Sequence, residues 1–73
     1  MATFTTYNRN NNAENISMKT TSDRAVYMLE AKHDELINDG WNEWKEITRN
    51  FNAHKMYTVL RKGNEYIEII VKF

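Results

Sequence analysis

Residues 21–41, TSDRAVYMLEAKHDELINDGW, contain the clearest structural pattern in the chain. On a helix with the usual 3.6 residues per turn, one arc of about 120° holds Ala25, Val26, Leu29, His33, Leu36 and Ile37. Thr21 or Ser22 can cap such a helix, and Gly40 suits the left-handed residue that often follows a helix end. The stretch therefore predicts an amphipathic helix over residues 23–38.

After Gly40 the sequence changes to the composition of β-strands. Residues 44–51, 55–61 and 65–73 are rich in Ile, Val, Tyr, Thr and Trp, which favour strands. In the last of these stretches apolar and polar residues alternate, as they do in a half-buried strand. Residues 61–64, RKGN, predict a tight turn. Together these stretches predict a three-stranded antiparallel meander with one helix laid across it.

The first 22 residues form an asparagine-rich arm for which two structures remain open. Residues 3–7 and 16–20 favour strands and flank the asparagine cluster, so they can pair as a loose hairpin, or the whole arm can be mobile. We therefore predict an α+β fold, with one helix packed on a small antiparallel sheet in the order ββαβββ or αβββ. Either version is a single domain, 1–73, made of the arm and of residues 23–73.

The helical and strand periods agree on a predicted core. Its members are Leu29, Leu36, Ile37, Trp41, Ile47, Val59, Ile67, Ile69 and Val71. Seventy-three residues without cysteine allow only a small core and no disulfide, and domains of this size often rely on a partner subunit. Residues 66–73 would form a long apolar edge strand, which is prone to pairing. We therefore expect a homodimer that buries this strand.

Charge and hydropathy exclude several classes of protein. Ten basic side chains balance ten acidic ones, which argues against a protein held on DNA by bulk electrostatics alone. No apolar run approaches the roughly 20 residues of a membrane span, and the arm contains no apolar signal core. We expect a cytoplasmic protein without membrane contact. The net charge is −3 for residues 23–39 and +2 for residues 40–73, so the helix is acidic and the sheet mildly basic.

The sequence contains no pattern typical of catalysis, metal binding or cofactor binding. His33 and His54 are the only histidines, no thiol is present, and no spacing of metal ligands occurs. We expect His33 to pack at the margin of the apolar arc. A minimal nuclease could use His54, Glu46 and Arg49 as base, acid and phosphate clamp. No spacing selects such a set, so we predict no enzyme, no cofactor and no metal.

Trp41 and Trp44 lie three residues apart and cannot share one face of a regular strand. We expect Trp41 to fold back on the helix end, while Trp44 is either exposed or covered by the arm. Basic and aromatic side chains accompany Trp44 in the sheet, and the predicted partner-binding set is Trp44, Lys45, Arg49, Tyr57, Arg61 and Lys62. Strand parity places Trp44 and Lys45 on opposite faces unless a bulge intervenes.

Residues 25–62 resemble small bacterial and phage domains of unknown function. The resemblance lies in a helix that ends in LINDGW at 36–41 and in a following hairpin that ends in YTVLRK at 57–62. It implies a small α/β fold and no assigned activity. In size, asparagine content and lack of enzyme motifs, the chain also resembles accessory proteins of tailed bacteriophages that bind and block a host enzyme or defence component.

Three functions follow from these observations. The first is a non-catalytic binding module, a phage-encoded inhibitor that occupies a host protein or a defence or toxin component in the host cytoplasm. The second is a small protein that binds RNA or single-stranded nucleic acid, including one that reaches its target through bound RNA. The third is the minimal nuclease. Salt distinguishes the first two, because phosphate contacts weaken steeply as salt rises.

Overall fold

A computed structural model describes residues 1–9 and 15–73 of the chain. The predicted asparagine-rich loop lies largely outside these ranges. The chain order is ββαβββ, with β1 Ala2–Asn8, β2 Ile16–Thr20, α1 Ser22–Asn38, β3 Asn42–Asn50, β4 Lys55–Lys62 and β5 Glu65–Lys72. The predicted α+β fold is confirmed in its ββαβββ version. No helix in the described ranges is both long enough and apolar enough to cross a membrane.

The five strands form one antiparallel sheet in the order β2-β1-β5-β4-β3. Strands β3, β4 and β5 form the expected meander, and β1 pairs with the free side of β5 from Thr3↔Lys72 to Asn8↔Ile67. Strand β5 is therefore the central strand. The exposed apolar edge from which we predicted a homodimer does not exist, because β1 and β4 flank β5 on both sides. The outer edges of the sheet are β2 and β3.

Both ends of α1 have the backbone geometry that the sequence predicts. Thr21 is the N-cap, and its hydroxyl accepts a hydrogen bond from the backbone N–H of Arg24 at 3.3 Å. At the other end Gly40 has φ +94°. The N–H of Trp41 donates to the carbonyl of Leu36 at 2.9 Å, and the N–H of Gly40 donates to that of Ile37 at 3.2 Å. This is a Schellman ending, and it folds Trp41 back onto the helix as expected.

Helix α1 packs on one face of the sheet, chiefly against β5, β1 and β4. The buried core is Ala2, Phe4, Ala25, Leu29, Leu36, Trp41, Leu60, Ile67, Ile69 and Val71. Six of the nine predicted members are in it, and Ile47 packs at its margin. The prediction missed Ala2 and Phe4 because the position of β1 beside β5 is a long-range pairing that no local pattern specifies.

Two predicted core residues lie elsewhere. Ile37 is 39% exposed, because α1 turns its neighbour Leu36 toward the sheet. Val59 is buried but belongs to the opposite face, since it pairs with Glu68 while Leu60 pairs with Ile67. In β4 the inward positions are therefore Met56, Thr58 and Leu60, which pair with the inward residues of β5. The predicted parity of this strand was wrong.

The neighbouring residues Leu36 and Ile37 provide a matched test of the core. Leu36→Ala should lower the free energy of unfolding by about 2–4 kcal/mol, because it opens a cavity between α1 and the sheet. Ile37→Ala removes a side chain of similar size from a more exposed position and should cost less than about 1 kcal/mol. Urea denaturation of both variants measures the difference, and equal losses would contradict the assigned helix orientation.

His33 ties α1 to the start of β3. Its Nε2 donates to Oε2 of Glu43 at 2.6 Å, and its Nδ1 donates to Oδ1 of Asp34 at 3.1 Å. Carboxylates only accept hydrogen bonds, so the geometry suits the doubly protonated imidazolium. Partial burial lowers the pKa of His33, but the hydrogen bonds and charges of Asp34 and Glu43 outweigh it, and the net pKa is raised above 6.5.

This contact should make stability depend on pH. A raised pKa in the folded state means that the His33 contribution is fully present below the unfolded pKa of about 6.5 and is lost as pH rises through the folded pKa. His33→Gln should therefore destabilise the protein more at pH 5.5–6 than at pH 8–9 (roughly, from the reference pKa). Thermal melts at both pH values measure it, with Glu43→Gln as a control that weakens the same dependence. An equal loss at both pH values would contradict the contact.

Candidate functional site

The sheet face opposite α1 is not covered by any element in the described ranges, and we call it the open face. Directly paired residues in neighbouring strands project to the same side, so the register defines its members. Tyr57 pairs with Ile70, Val59 with Glu68, and Arg61 with Tyr66. On the far side of β5, Thr5 pairs with Ile70 and Tyr7 with Glu68. The centre of the open face therefore combines aromatic and aliphatic side chains with the carboxylate of Glu68.

Two bulges in β3 bring Trp44 and Lys45 onto the open face together. The register shifts between Glu43 and Lys45, which leaves Trp44 as an extra residue, and shifts again between Lys45 and Thr48. The hydroxyl of Thr58 donates to the carbonyl of Lys45 at 2.8 Å and so satisfies a backbone acceptor in the bulged segment. Trp44 and Lys45 can face the same side only if a bulge interrupts the strand, and this bulge is present.

The aromatic rings of the open face contact its cations. The ring of Trp44 meets that of Tyr66 edge-on, with centroids 5.7 Å apart at 79°. The guanidinium of Arg61 lies 5.6 Å from the Tyr66 centroid. The ammonium groups of Lys45 and Lys55 lie 5.5 Å and 5.2 Å from the Tyr57 centroid. These contacts hold long side chains over the sheet and reduce the entropy that binding would cost.

The open face is strongly basic. Its cations are Lys19, Lys45, Lys55, Arg61 and Lys72, together with Arg9, whose guanidinium lies 6.0 Å from the Tyr66 ring. Among the described residues that the strand register places on this face, Glu68 is the one carboxylate, and it forms an ion pair with Arg9. The acidic residues of α1 lie on the other side of the molecule. The zero net charge of the chain therefore conceals a separation of charge between two faces.

Trp44, Lys45, Tyr57 and Arg61 of the predicted set thus lie together, with Trp44 60% exposed. Arg49 and Lys62 do not join them. Arg49 pairs with Met56 on the helix side, and its guanidinium lies over the ring of Phe73 with centroid distance 4.0 Å. Lys62 Nζ donates to the carbonyl of Asp39 at the end of α1, at 3.1 Å. For Arg49 the reason is its position in β3 after the bulges, and for Lys62 it is the regular alternation of β4, which turns it away from the side of Arg61.

Several residues of the open face were absent from the predicted set. They are Tyr7, Arg9, Lys19, Lys55, Tyr66 and Lys72. The alternation of β5 could have indicated Tyr66 and Lys72, since both are out of phase with the buried isoleucines. Tyr7 and Arg9 could not have been found, because only the pairing of β1 with β5 brings them to this face.

The two histidines lie on different elements. His33 is engaged with two carboxylates, and His54 lies in the turn before β4 with φ +52°. Within residues 1–9 and 15–73 no cluster of three or more His, Asp or Glu side chains could hold a metal ion. Arg49, the phosphate clamp of the nuclease hypothesis, faces phenylalanine rings.

A cavity of about 710 Å³ lies on the helix side, between the end of α1 and the sheet. Leu36, Trp41 and Ile67 line it together with charged groups of both signs. Both lysines of the lining already have partners, because Lys32 pairs with Glu35 at 3.5 Å and Lys62 bonds the Asp39 carbonyl. The open face, where cations outnumber carboxylates, is therefore the stronger candidate for a binding site.

Comparisons of the chain with protein-family models, curated proteins and solved structures found no match. The functional assignment therefore depends on the geometry and chemistry of the open face.

Proposed function

We propose that this protein is a non-catalytic binding module whose open face docks on the acidic surface of another protein. The observation that carries the proposal is the single sheet face on which exposed Trp44 and Tyr7 stand among cations with one paired carboxylate. Tyr, Trp and Arg are the residues in which binding energy concentrates at protein interfaces. A cluster of exposed rings on one face is typical of an interaction site, whereas single exposed rings are common on any protein surface.

The arrangement of the open face follows the anatomy of a protein interface. Tyr57, Val59 and Ile70 lie near its middle, on the neighbouring strands β4 and β5. Lys19 and Lys72 lie toward one end of the strands, where Thr3 pairs with both. An apolar and aromatic centre with a charged rim is typical of protein–protein contacts. A basic rim selects an acidic partner surface and accelerates the encounter with it.

We further propose that the protein is encoded by a bacteriophage and inhibits a host protein, or a defence or toxin component, by occupying its surface in the host cytoplasm. The resemblance in size and asparagine-rich composition to accessory proteins of tailed phages supports this part of the proposal. A module of this kind needs no catalytic group, since a stable complex is enough to block the partner. A basic inhibitor surface would fit an enzyme whose own functional surface is acidic.

A second candidate function is the binding of single-stranded nucleic acid. The alternation of cations with rings favours it, because bases stack on aromatic side chains while cations hold phosphates. Arg61 beside Tyr66, and Lys45 and Lys55 beside Tyr57, provide such neighbours. The protein would then reach its target through RNA, and its affinity would fall steeply as salt rises.

Charge reversal on the two sides of the molecule tests the proposed surface. Arg61→Glu and Trp44→Ala should each weaken capture of the partner from bacterial lysate by at least about tenfold, since both remove anchors of the open face. Arg24→Glu changes the net charge by the same amount as Arg61→Glu, but Arg24 is an exposed residue of α1. This variant should bind like the parent. Quantitative pull-downs measure the three variants, with thermal melts confirming that each is folded.

Nuclease treatment and salt separate the two candidate partners. A protein partner should remain bound after nuclease treatment, and the isolated pair should bind in calorimetry. Loss of the partner after nuclease treatment, or direct binding of a labelled single-stranded oligonucleotide with steep salt dependence, would favour the second function. Loss of binding in Arg24→Glu but not in Arg61→Glu would place the surface on the helix and reject both candidates.

Glu68 provides a test in the opposite direction. Its carboxylate pairs with Arg9 in the middle of a basic face. Glu68→Gln removes that negative charge and frees the Arg9 guanidinium, so affinity for an acidic partner should rise by roughly two- to fivefold. Titration of the purified partner measures the change, and Glu65→Gln, on the opposite side of β5, serves as the control. An unchanged or lower affinity would contradict an acidic partner at this position.

A further inference from the structure

The two outer edges of the sheet differ in how well they resist pairing with another strand. Edge strand β3 contains two bulges and several charged residues, including Lys45, Glu46 and Arg49. Bulges and charges prevent edge-to-edge pairing. Edge strand β2, with the sequence ISMKT, pairs with β1 without any register shift and contains one charged residue, Lys19. Strand β2 is therefore the edge that is open to a further strand.

The width of α1 explains why β2 also exposes apolar side chains. A helix is about 10–12 Å wide and strands lie about 4.8 Å apart, so one helix covers two or three strands. Ile16 and Met18 pair with Thr6 and Phe4, which are buried on the helix side. Yet Ile16 is 52% exposed and Met18 is 42% exposed. An apolar strip that no described element covers therefore runs along β2 beside the helix.

The hydrogen bonds around β1 show which backbone groups of β2 point outward. The N–H of Arg9 donates to the Tyr66 carbonyl on β5, while that of Asn8 donates to the side chain of Asn15 on the β2 side. The N–H of Ile16 in turn donates to the hydroxyl of Thr6. Successive backbone groups alternate in direction along a strand. The backbone N–H and C=O groups of the even-numbered residues of β2 therefore point to β1. Those of Ser17 and Lys19 point outward, away from the sheet.

We infer that β2 pairs in antiparallel fashion with β2 of a second copy of this chain, about a two-fold axis at Met18. In this register Ser17 of each copy lies opposite Lys19 of the other, and these are the residues with outward backbone groups. Met18 lies opposite its own counterpart and Ile16 lies opposite Thr20, all on the helix side. No like charges face each other directly. The strand is thus self-complementary in hydrogen bonding, apolar contact and charge.

This pairing would extend the sheet to ten strands and leave the open faces of both copies on the same side. The interface is small, so we expect weak association with a dissociation constant of the order of 100 μM. The two helices would flank the joined apolar strips, and the Met18 and Ile16 side chains of both copies would be covered. The second copy is inferred from the self-complementary pairing of β2. This inference is independent of the partner that we propose for the open face.

Proline at the outward position tests the backbone pairing. Ser17→Pro removes an N–H that points away from β1, a position at which edge strands tolerate proline. It should therefore weaken self-association by at least about tenfold in sedimentation equilibrium while the thermal melt stays close to that of the parent. Ser17→Ala keeps the N–H and should associate like the parent. A parent that remains monomeric up to about 1 mM overturns the inference, as does undiminished association of Ser17→Pro.

A charge pair at the two-fold axis tests the register without any change in the backbone. Met18→Lys and Met18→Glu should each associate more weakly than the parent, because like charges meet at the axis. An equimolar mixture of the two variants should associate at least about tenfold more tightly than either alone. A mixture no tighter than its components overturns the register. Capture of an unrelated extended peptide in preference to a second copy would overturn the assigned occupant.

Discussion

The antiparallel pairing of β1 with β5 is the interaction on which the rest of the structure depends. It converts a three-stranded meander into a five-stranded sheet and places β5 at the centre, where Ile67, Ile69 and Val71 are buried under α1. It also supplies Phe4 to the core. On the other face the same pairing carries Tyr7 beside Glu68 and Arg9 beside Tyr66. Without β1, both the core and the candidate site would lose one side.

The single helix can cover only one of the two faces of the five-stranded sheet. Helix α1 covers the side that holds most of the aliphatic residues, and the opposite side stays exposed with rings and long cations on it. On that side Val59 is buried although no helix covers it. The side chains of the open face therefore shield part of their own surface, and cation–ring contacts keep them in place. The side chains of the surface that we propose for a partner are therefore held by contacts within the chain.

The local parts of this structure could be predicted from the sequence, and the long-range parts could not. The helix, its Thr21 cap, its Gly40 ending and the buried Trp41 follow from residues within one or two turns of each other. Which side chains of β4 face the helix, and where β3 bulges, depend on how each strand pairs with its neighbours in the sheet. For that reason Val59 was assigned to the wrong face, and Arg49 and Lys62 were placed in the site. The grouping of Trp44 with Tyr66 and Arg9 required the complete sheet.

The separation of charge between helix and sheet would orient the molecule in the electric field of the acidic partner that we propose. Asp34 and Glu35 on α1 and the cations of the open face lie on opposite sides, so a neutral chain acts as a dipole. An acidic surface attracts the open face and repels the helix, which favours productive encounters over unproductive ones. A uniformly basic protein would lack this preference and would bind nucleic acid without selection. In the complex that we propose, the acidic helix would therefore contribute to specificity without touching the partner.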